Sequence, residues 1–211
     1  MEMKVIAEVK KSSPFIGKIV DDIRLDWRVR EYERLGAAMI SIVTAKEFDG
    51  DKQWVAEARK ITKLPILMKD FIAHEDHIKE AVDLGADYIL LIAELLTAKE
   101  LDELTFYAWK HRITPIVEIQ SLYGVRILPY ADTGYVLLNN RNLRTGQVNV
   151  LTALNLLPMV PSSKVIIAAS GFDQQPKIIH VMRKLQEIDY ILVGTGLMKS
   201  ENLEETFKWL K

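Results

Sequence analysis

The sequence has 211 residues, with 28 Lys and Arg against 29 Asp and Glu and a formal net charge of −1. This balance gives no reason to expect nucleic acid or an anionic membrane as a partner, and the absence of cysteine excludes disulfides, thiolate metal ligands and a cysteine nucleophile. No window approaches the roughly 18 apolar residues of a membrane span, and the first residues lack the pattern of a signal peptide, so we expect a soluble cytoplasmic protein.

Eight short apolar runs of strand length recur along the chain. They are rich in Val, Ile and Leu and show little polar alternation, which is typical of strands buried on both faces in a parallel sheet. The predicted strands are Val5–Val9, Met39–Thr44, Pro65–Lys69, Tyr88–Ile92, Pro115–Ile119, Tyr135–Asn139, Val165–Ala169 and Tyr190–Gly194.

Apolar residues with helical spacing occupy most of the segments between these runs. Ser200 is predicted to cap the last helix, and two less periodic helices are predicted at Ser121–Tyr130 and near Val150–Met159. The predicted apolar faces are Leu25, Val29 and Tyr32; Trp54, Ala58 and Ile61; Ile78, Ala81 and Val82; Leu101, Leu104 and Ala108; Ile178, Val181, Met182 and Leu185 behind Asp173; and Leu203, Phe207 and Leu210.

The regular alternation of strand and helix predicts right-handed crossovers and a parallel sheet. An open doubly wound sheet would carry a glycine-rich turn after its first strand, but here that strand is followed by Lys10-Lys11-Ser12-Ser13-Pro14-Phe15. We therefore predict an α/β fold, a (β/α)8 barrel formed by one catalytic domain over residues 1–211.

Charged residues at the ends of predicted strands indicate where the active site lies, because barrel enzymes carry their sites at the C-terminal ends of the strands. Glu8, Lys10, Lys69 and Glu118 stand in apolar segments, and burying an unpaired charge costs several kcal/mol. A buried ion-pair network that braces the barrel would explain them. We favour a site for acid–base chemistry on an anionic ligand, since all four converge on one end of the barrel.

Turns that contain glycine follow the last two predicted strands, at Ser170-Gly171 and Gly194-Thr195. Backbone N–H groups in such turns can approach phosphate oxygens closely, so we predict a phosphate site there. The connection from Lys10 to about Asp26 is the longest on the same face, and long loops in this position often act as lids.

We expect no metal and no cofactor. His74 and His77 share one face of a predicted helix, but a solvated polar first turn explains them better than a metal site.

Several motifs resemble those of indole-3-glycerol phosphate synthases, the ring-closing enzymes of tryptophan biosynthesis. They follow in the family's order and spacing over nearly the whole chain, and the combination of Lys69-Asp70-Phe71 with Asn139-Asn140-Arg141 is the specific part. The motifs are residues Ala7–Pro14, Leu64–Ile72, Gly85–Ile92, Val117–Ile119 and Asn139–Leu143, with Val193-Gly194 and Leu197-Met198 at the last strand.

The resemblance implies closure of 1-(2-carboxyphenylamino)-1-deoxyribulose 5-phosphate to indole-3-glycerol phosphate, with loss of carbon dioxide and water. By position, Lys69 would be the general acid on the substrate's carbonyl, and Glu118 would be the partner acid/base during loss of water. Lys10 would pair with the anthranilate carboxylate or assist proton transfer, and Glu8 would position Lys69.

The remaining residues that the resemblance implies would bind and orient the substrate. Asn139 with Arg141 would orient the sugar hydroxyls. The others are Phe71, Leu90 and Leu143 around the aromatic ring, and Ser170, Gly171, Gly194 and Thr195, with help from Ser13, at the phosphate.

Three positions depart from the family's pattern. Ala169 stands where the family usually has a glutamate, Phe15 replaces the second serine of a Ser-Pro-Ser segment, and Ala45 follows Thr44 where an acidic residue is usual. Family members also carry an N-terminal extension of a few dozen residues, which we expect this chain to lack.

Two other functions remain open. A Schiff-base aldolase would use Lys69 or Lys10 as its nucleophile, since a desolvated lysine near another cation has a lowered pKa. A non-catalytic barrel that binds a phosphorylated ligand is suggested by Ala169. A phosphoribosylanthranilate isomerase is disfavoured, because its usual cysteine–aspartate pair needs a cysteine. We expect a phosphorylated small molecule as the ligand, no nucleic acid or membrane partner, and a monomer or weak homo-oligomer.

Overall fold

The computed structural model describes residues 3–172 and 187–210. Eight parallel strands close into a barrel, in the order β1-β8-β7-β6-β5-β4-β3-β2 around the ring, and the predicted (β/α)8 barrel is confirmed. The strands are β1 (Lys4–Val9), β2 (Met39–Val43), β3 (Ile66–Lys69), β4 (Tyr88–Ile92), β5 (Thr114–Ile119), β6 (Tyr135–Asn139), β7 (Val165–Ala169) and β8 (Tyr190–Val193).

Helices cover the outside of the barrel. They are α1 (Leu25–Arg34), α2 (Gln53–Ile61), α3 (Glu75–Asp83), α4 (Ala98–Lys110), α5 (Leu122–Ile127), α6 (Leu151–Leu156), α7 (Thr195–Lys199) and α8 (Leu203–Leu210). The helix face predicted from Ile178, Val181, Met182 and Leu185, with Asp173 as its cap, lies outside the described residues. No helix that the structure describes is long and apolar enough to cross a membrane.

Several details of the helices differ from the sequence-based expectations, and α7 was not predicted from the sequence. The cap of α8 is Asn202 instead of Ser200: the Asn202 Oδ1 atom accepts a hydrogen bond from the Glu205 N–H at 3.1 Å, as an N-cap side chain does. Helix α5 ends at Ile127 and continues as a 3-10 turn through Leu128–Tyr130, because Pro129 lacks the N–H that an α-helix needs.

Alternate residues of each strand point into the barrel, since side chains along a strand alternate between its faces. On β1, β3, β5 and β7 the first interior layer is Ile6, Leu67, Ile116 and Ile167, all packed in one cluster. Two residues further along, the same strands present Glu8, Lys69, Glu118 and Ala169. This upper layer, three of whose four members are charged, forms the floor of the C-terminal end of the barrel.

The first loop is folded back on itself. Ser12–Ser13 pairs antiparallel with Gly17–Lys18, and the N–H groups of Ile19 and Val20 both donate to the Lys11 carbonyl oxygen, at 2.9 and 3.2 Å. The segment predicted as a lid is therefore a short hairpin that leads from β1 to α1.

Candidate active site

A cavity that opens to solvent lies at the C-terminal ends of the strands. Every residue predicted for the site lines it: Glu8, Lys10, Ser13, Lys69, Phe71, Leu90, Glu118, Asn139, Arg141, Leu143, Ser170, Gly171, Gly194 and Thr195. The sequence reasoning did not select Phe48, Asp70 or Phe172, which also line the cavity. Asp70 directly follows Lys69 at the end of β3, and the sequence places it among the polar strand ends, but it was assigned no role in the site.

The carboxylate of Glu8 lies between two ammonium groups. Its Oε1 atom is 2.9 Å from Lys10 Nζ, and its Oε2 atom is 3.1 Å from Lys69 Nζ. Glu8 is buried, whereas the side chains of Lys10 and Lys69 are 14% and 23% exposed to the cavity. One carboxylate thus anchors two cations whose outer surfaces remain free for a ligand.

The charged side chains at the C-terminal end of the barrel shift one another's pKa values and so determine which groups are ionised. Burial alone would raise the pKa of Glu8, but the two lysines outweigh it and lower that pKa to about 2. Burial alone would lower the pKa of Lys69, but the carboxylates of Glu8 and Glu118 outweigh it, so that pKa is raised. Lys69 is therefore held protonated, and a protonated ammonium aimed into a cavity can act as a general acid.

Glu118 is in a different state from Glu8. It is 1% exposed, and its Oε1 atom accepts a hydrogen bond from Asn139 Nδ2 at 2.8 Å. Its Oε2 atom is buried without a hydrogen-bond partner among the described residues. Burial raises the pKa of Glu118, against the opposing effects of Lys69 and of the Asn139 hydrogen bond. A carboxyl group with a raised pKa and a free oxygen at a cavity wall is suited to exchange a proton with a ligand.

Arg141 and Leu143 are held by hydrogen bonds along the segment that follows β6. The Arg141 N–H donates to Asn139 Oδ1 at 2.9 Å, and its Nη1 atom donates to the Gly146 carbonyl oxygen at 2.8 Å. The Arg141 guanidinium lies over the ring of Phe15, 5.6 Å from the ring centre. Phe15 on the first loop thus contacts the residue that is predicted to orient the sugar.

The turns after β7 and β8 close the other side of the cavity. Ser170 and Gly171 both have positive φ angles, 71° and 87°, which is unusual for a residue with a side chain. The Ser170 carbonyl oxygen accepts a hydrogen bond from Asn140 Nδ2 at 3.0 Å. At Gly194, a Cβ atom would overlap with Glu8 Oε1 and stand 2.8 Å from Lys10 Nζ. Gly194 therefore leaves the space in which the Glu8–Lys10 ion pair lies.

Asp70 and Thr44 tie the ends of β2 and β3 together. Thr44 Oγ1 donates to Asp70 Oδ2 at 2.7 Å, and Asp70 Oδ1 accepts from the Phe71 N–H at 2.8 Å. Phe71 is thereby fixed at the mouth of the cavity, 37% exposed. Within residues 3–172 and 187–210, no cluster of three or more His, Cys, Asp or Glu side chains is arranged to hold a metal ion.

The fold and the site define a (β/α)8 barrel with a charged acid–base pocket at the C-terminal ends of its strands. A family model described as indole-3-glycerol phosphate synthase matches residues 1–210. The indole-3-glycerol phosphate synthase of Aquifex aeolicus (strain VF5) is 37% identical over 202 residues, which is 94% of this chain and 77% of that protein. The indole-3-glycerol phosphate synthase of Campylobacter curvus (strain 525.92) is 34% identical over 210 residues, 99% of this chain and 80% of that protein. The chain belongs to the indole-3-glycerol phosphate synthase family.

Proposed function

We propose that this protein is an indole-3-glycerol phosphate synthase, a carboxy-lyase of tryptophan biosynthesis that converts 1-(2-carboxyphenylamino)-1-deoxyribulose 5-phosphate to indole-3-glycerol phosphate. The single observation that carries the proposal is the joint placement of Lys69 and Glu118 in one cavity, in a chain that the family model matches over residues 1–210.

Ring closure requires an electrophilic carbon, and Lys69 supplies the polarisation. The aromatic carbon that bears the carboxylate bonds to the ketone carbon while Lys69 donates a proton to the ketone oxygen, which becomes a hydroxyl group. Carbon dioxide then leaves, and its bonding electron pair restores the aromatic ring. A charge-assisted donor at the developing oxyanion is the largest single contribution expected at such a site.

Loss of water completes the indole. The hydroxyl group leaves as water with a proton from Lys69, once that amine has been reprotonated from solvent, and the carbon next to the ring nitrogen loses a proton to form the new double bond. Glu118 accepts that proton, because it lines the cavity and its Oε2 atom has no competing hydrogen-bond partner among the described residues. Asn139 holds the other oxygen and keeps the carboxyl group in place.

The rest of the cavity divides between the two ends of the substrate. Phe71, Leu90 and Leu143 pack around the aromatic ring, and Lys10 pairs with the carboxylate that the reaction removes. Arg141 and Asn139 orient the sugar hydroxyls. The phosphate binds the turns after β7 and β8, at Ser170, Gly171, Gly194 and Thr195, with Ser13 on the first loop as a further donor.

Product analysis tests the proposal. The purified chain is incubated with the carboxyphenylamino-deoxyribulose phosphate, and the product is identified by mass spectrometry and indole fluorescence. We expect indole-3-glycerol phosphate, with one carbon dioxide released for each product molecule. Tight binding of the substrate without any product would favour the non-catalytic barrel that Ala169 suggests.

Borohydride trapping separates the synthase from a Schiff-base aldolase. An aldolase lysine must lose its proton to attack a carbonyl, whereas the raised pKa of Lys69 keeps it protonated. We expect no covalent adduct at Lys69 or Lys10 when the protein is treated with borohydride and a phosphorylated carbonyl compound. An adduct at either lysine would favour the aldolase.

We further propose that residues 1–211 act as one catalytic domain in the cytoplasm, as a monomer or weak homo-oligomer without a cofactor. Light scattering over a range of protein concentrations tests the oligomeric state.

A further inference from the structure

We propose that Glu94 is a positioning residue of this site, one that holds the end of β5 and, through Gln120, the segment after β6. Glu94 lies outside the cavity, in the 3-10 turn Ala93–Leu95 that follows β4. The inference rests on the proposed function, because the positions of Glu118 and Leu143 matter only if these residues act in that reaction.

The Glu94 carboxylate is bound directly to the end of β5. Its Oε1 atom accepts a hydrogen bond from the Gln120 N–H at 2.8 Å and another from Ser121 Oγ at 3.0 Å. Helix α5 packs against the same oxygen, since a Cβ atom at Gly124 would stand 2.6 Å from Glu94 Oε1. One carboxylate oxygen thus joins the end of β4, the end of β5 and the start of α5.

The contact continues from Gln120 to the wall of the cavity. Gln120 Oε1 accepts a hydrogen bond from the Leu143 N–H at 2.9 Å. Glu118 lies on β5, two residues before Gln120, and Asn139 links it to the Arg141 N–H. Displacing the Gln120 backbone would therefore move the candidate acid/base and the candidate ring wall together.

In its ionised form Glu94 also acts on Glu118 through its charge, in addition to its contacts. Its Oε2 atom is buried without a hydrogen-bond partner among the described residues, and burial raises the pKa of Glu94. The charged groups that act on Glu118 are Lys69 of β3, which lowers its pKa, and Glu94 and Glu8, which raise it beyond the effect of burial. A neutral residue at position 94 should therefore lower the pKa of Glu118.

Two substitutions separate the contacts of Glu94 from its charge. Glu94→Ala removes both, and we expect kcat to fall by roughly 10- to 100-fold, as small displacements of catalytic groups commonly cause. Glu94→Gln keeps an oxygen for Gln120 and Ser121, so most of kcat should return. In that variant the acidic limb of the kcat–pH profile should move to lower pH, because Glu118 then ionises more readily.

Asp189→Ala is the matched control. The Asp189 carboxylate also accepts a hydrogen bond from a backbone N–H, that of Ile166 at 2.8 Å, but at the opposite end of the barrel. Hydrogen exchange should become faster over residues 118–124 and 140–146 in Glu94→Ala and remain unchanged there in Asp189→Ala and Glu94→Gln.

The outcomes keep the two proposals apart. A wild-type protein without turnover overturns the proposed function, while the exchange comparison still decides whether Glu94 holds these segments. Turnover in the wild type with equal losses of kcat in Glu94→Ala and Asp189→Ala, and no local change in exchange, overturns the positioning role. An unshifted pH profile in Glu94→Gln overturns the effect of its charge.

Discussion

Lys69 Nζ lies 3.1 Å from Glu8 Oε2, and this contact joins two strands of the barrel that are not neighbours, since β2 lies between β1 and β3. The second oxygen of Glu8 binds Lys10. Two of the cations that face the cavity, Lys10 and Lys69, are therefore positioned by one buried carboxylate, and this arrangement gives the first prediction.

Replacing Glu8 by Gln leaves two cations without their counter-ion. We expect the free energy of unfolding at pH 7 to fall by on the order of 3 kcal/mol, as when one partner of a buried ion pair is removed. We also expect kcat to fall, because Lys69 loses both its anchor and a carboxylate that raises its pKa. Urea unfolding and steady-state kinetics measure the two effects.

The stabilisation by Glu8 should depend on pH in a defined window. Its pKa is lowered from 4.5 to about 2, so its contribution is present above pH 4.5 and is lost as the pH falls towards 2. The difference in stability between wild type and Glu8→Gln should therefore be smaller at pH 3 than at pH 7. Glu31→Gln, which removes an exposed pair with Arg34, is the control and should change stability little. A Glu8 difference that is the same at both pH values would contradict the lowered pKa.

Gly194→Ala should displace the Glu8–Lys10 ion pair. The added methyl group overlaps with Glu8 Oε1 and crowds Lys10 Nζ, so we expect a loss of about 1–3 kcal/mol in stability from overpacking. We expect kcat/KM to fall by about tenfold or more, because the ion pair is displaced. Gly134→Ala is the matched control, since a Cβ atom there meets nothing within 4 Å. Equal effects of the two substitutions would show that the Glu8–Lys10 pair tolerates the displacement.

Phe15 should matter more for binding than for chemistry. Its ring lies against Gly146, where a Cβ atom would stand 2.6 Å from Phe15 Cγ, and under the Arg141 guanidinium. Phe15→Ala removes packing and a cation–π contact of about 1 kcal/mol, so KM should rise with little change in kcat. Ile16→Ala, which shortens the exposed neighbour on the same loop, should leave KM unchanged. A fall in kcat with constant KM would instead place Phe15 in the chemical step.

Sequence reasoning located the barrel and the cavity because both depend on local patterns. Glu8, Lys69 and Glu118 each stand two residues beyond a buried interior position of an apolar strand, so their convergence follows from the period of the strand and the closure of the sheet. The ion pairs that Glu8 forms could not be predicted from the sequence. They depend on side-chain conformations, and in the case of Lys69 on a contact between strands that are not adjacent.

Other features were not predicted from the sequence. Some depend on contacts between residues that are distant in the chain, and others had a signal in the sequence that was overlooked. Phe15 contacts Arg141 and Gly146 because the first loop and the segment after β6 fold against each other, which the sequence does not indicate. Asn202 and Ser200 are both good caps, and only the observed hydrogen bond distinguishes them. Glu94 is a charged residue in the apolar segment Leu90–Leu96, and the same pattern identified Glu8, so the sequence already contained the signal for Glu94.

The most direct test of the account is turnover of the carboxyphenylamino-deoxyribulose phosphate by the wild type, Lys69→Ala and Lys63→Ala, followed by indole fluorescence. Lys63 is exposed and lies before the start of β3, at the end of the barrel opposite to the cavity. Its replacement therefore controls for the loss of a lysine. We predict turnover by the wild type and by Lys63→Ala, and loss of turnover in Lys69→Ala with the fold retained. Undiminished turnover in Lys69→Ala, or none in the wild type, would contradict the central role assigned to Lys69.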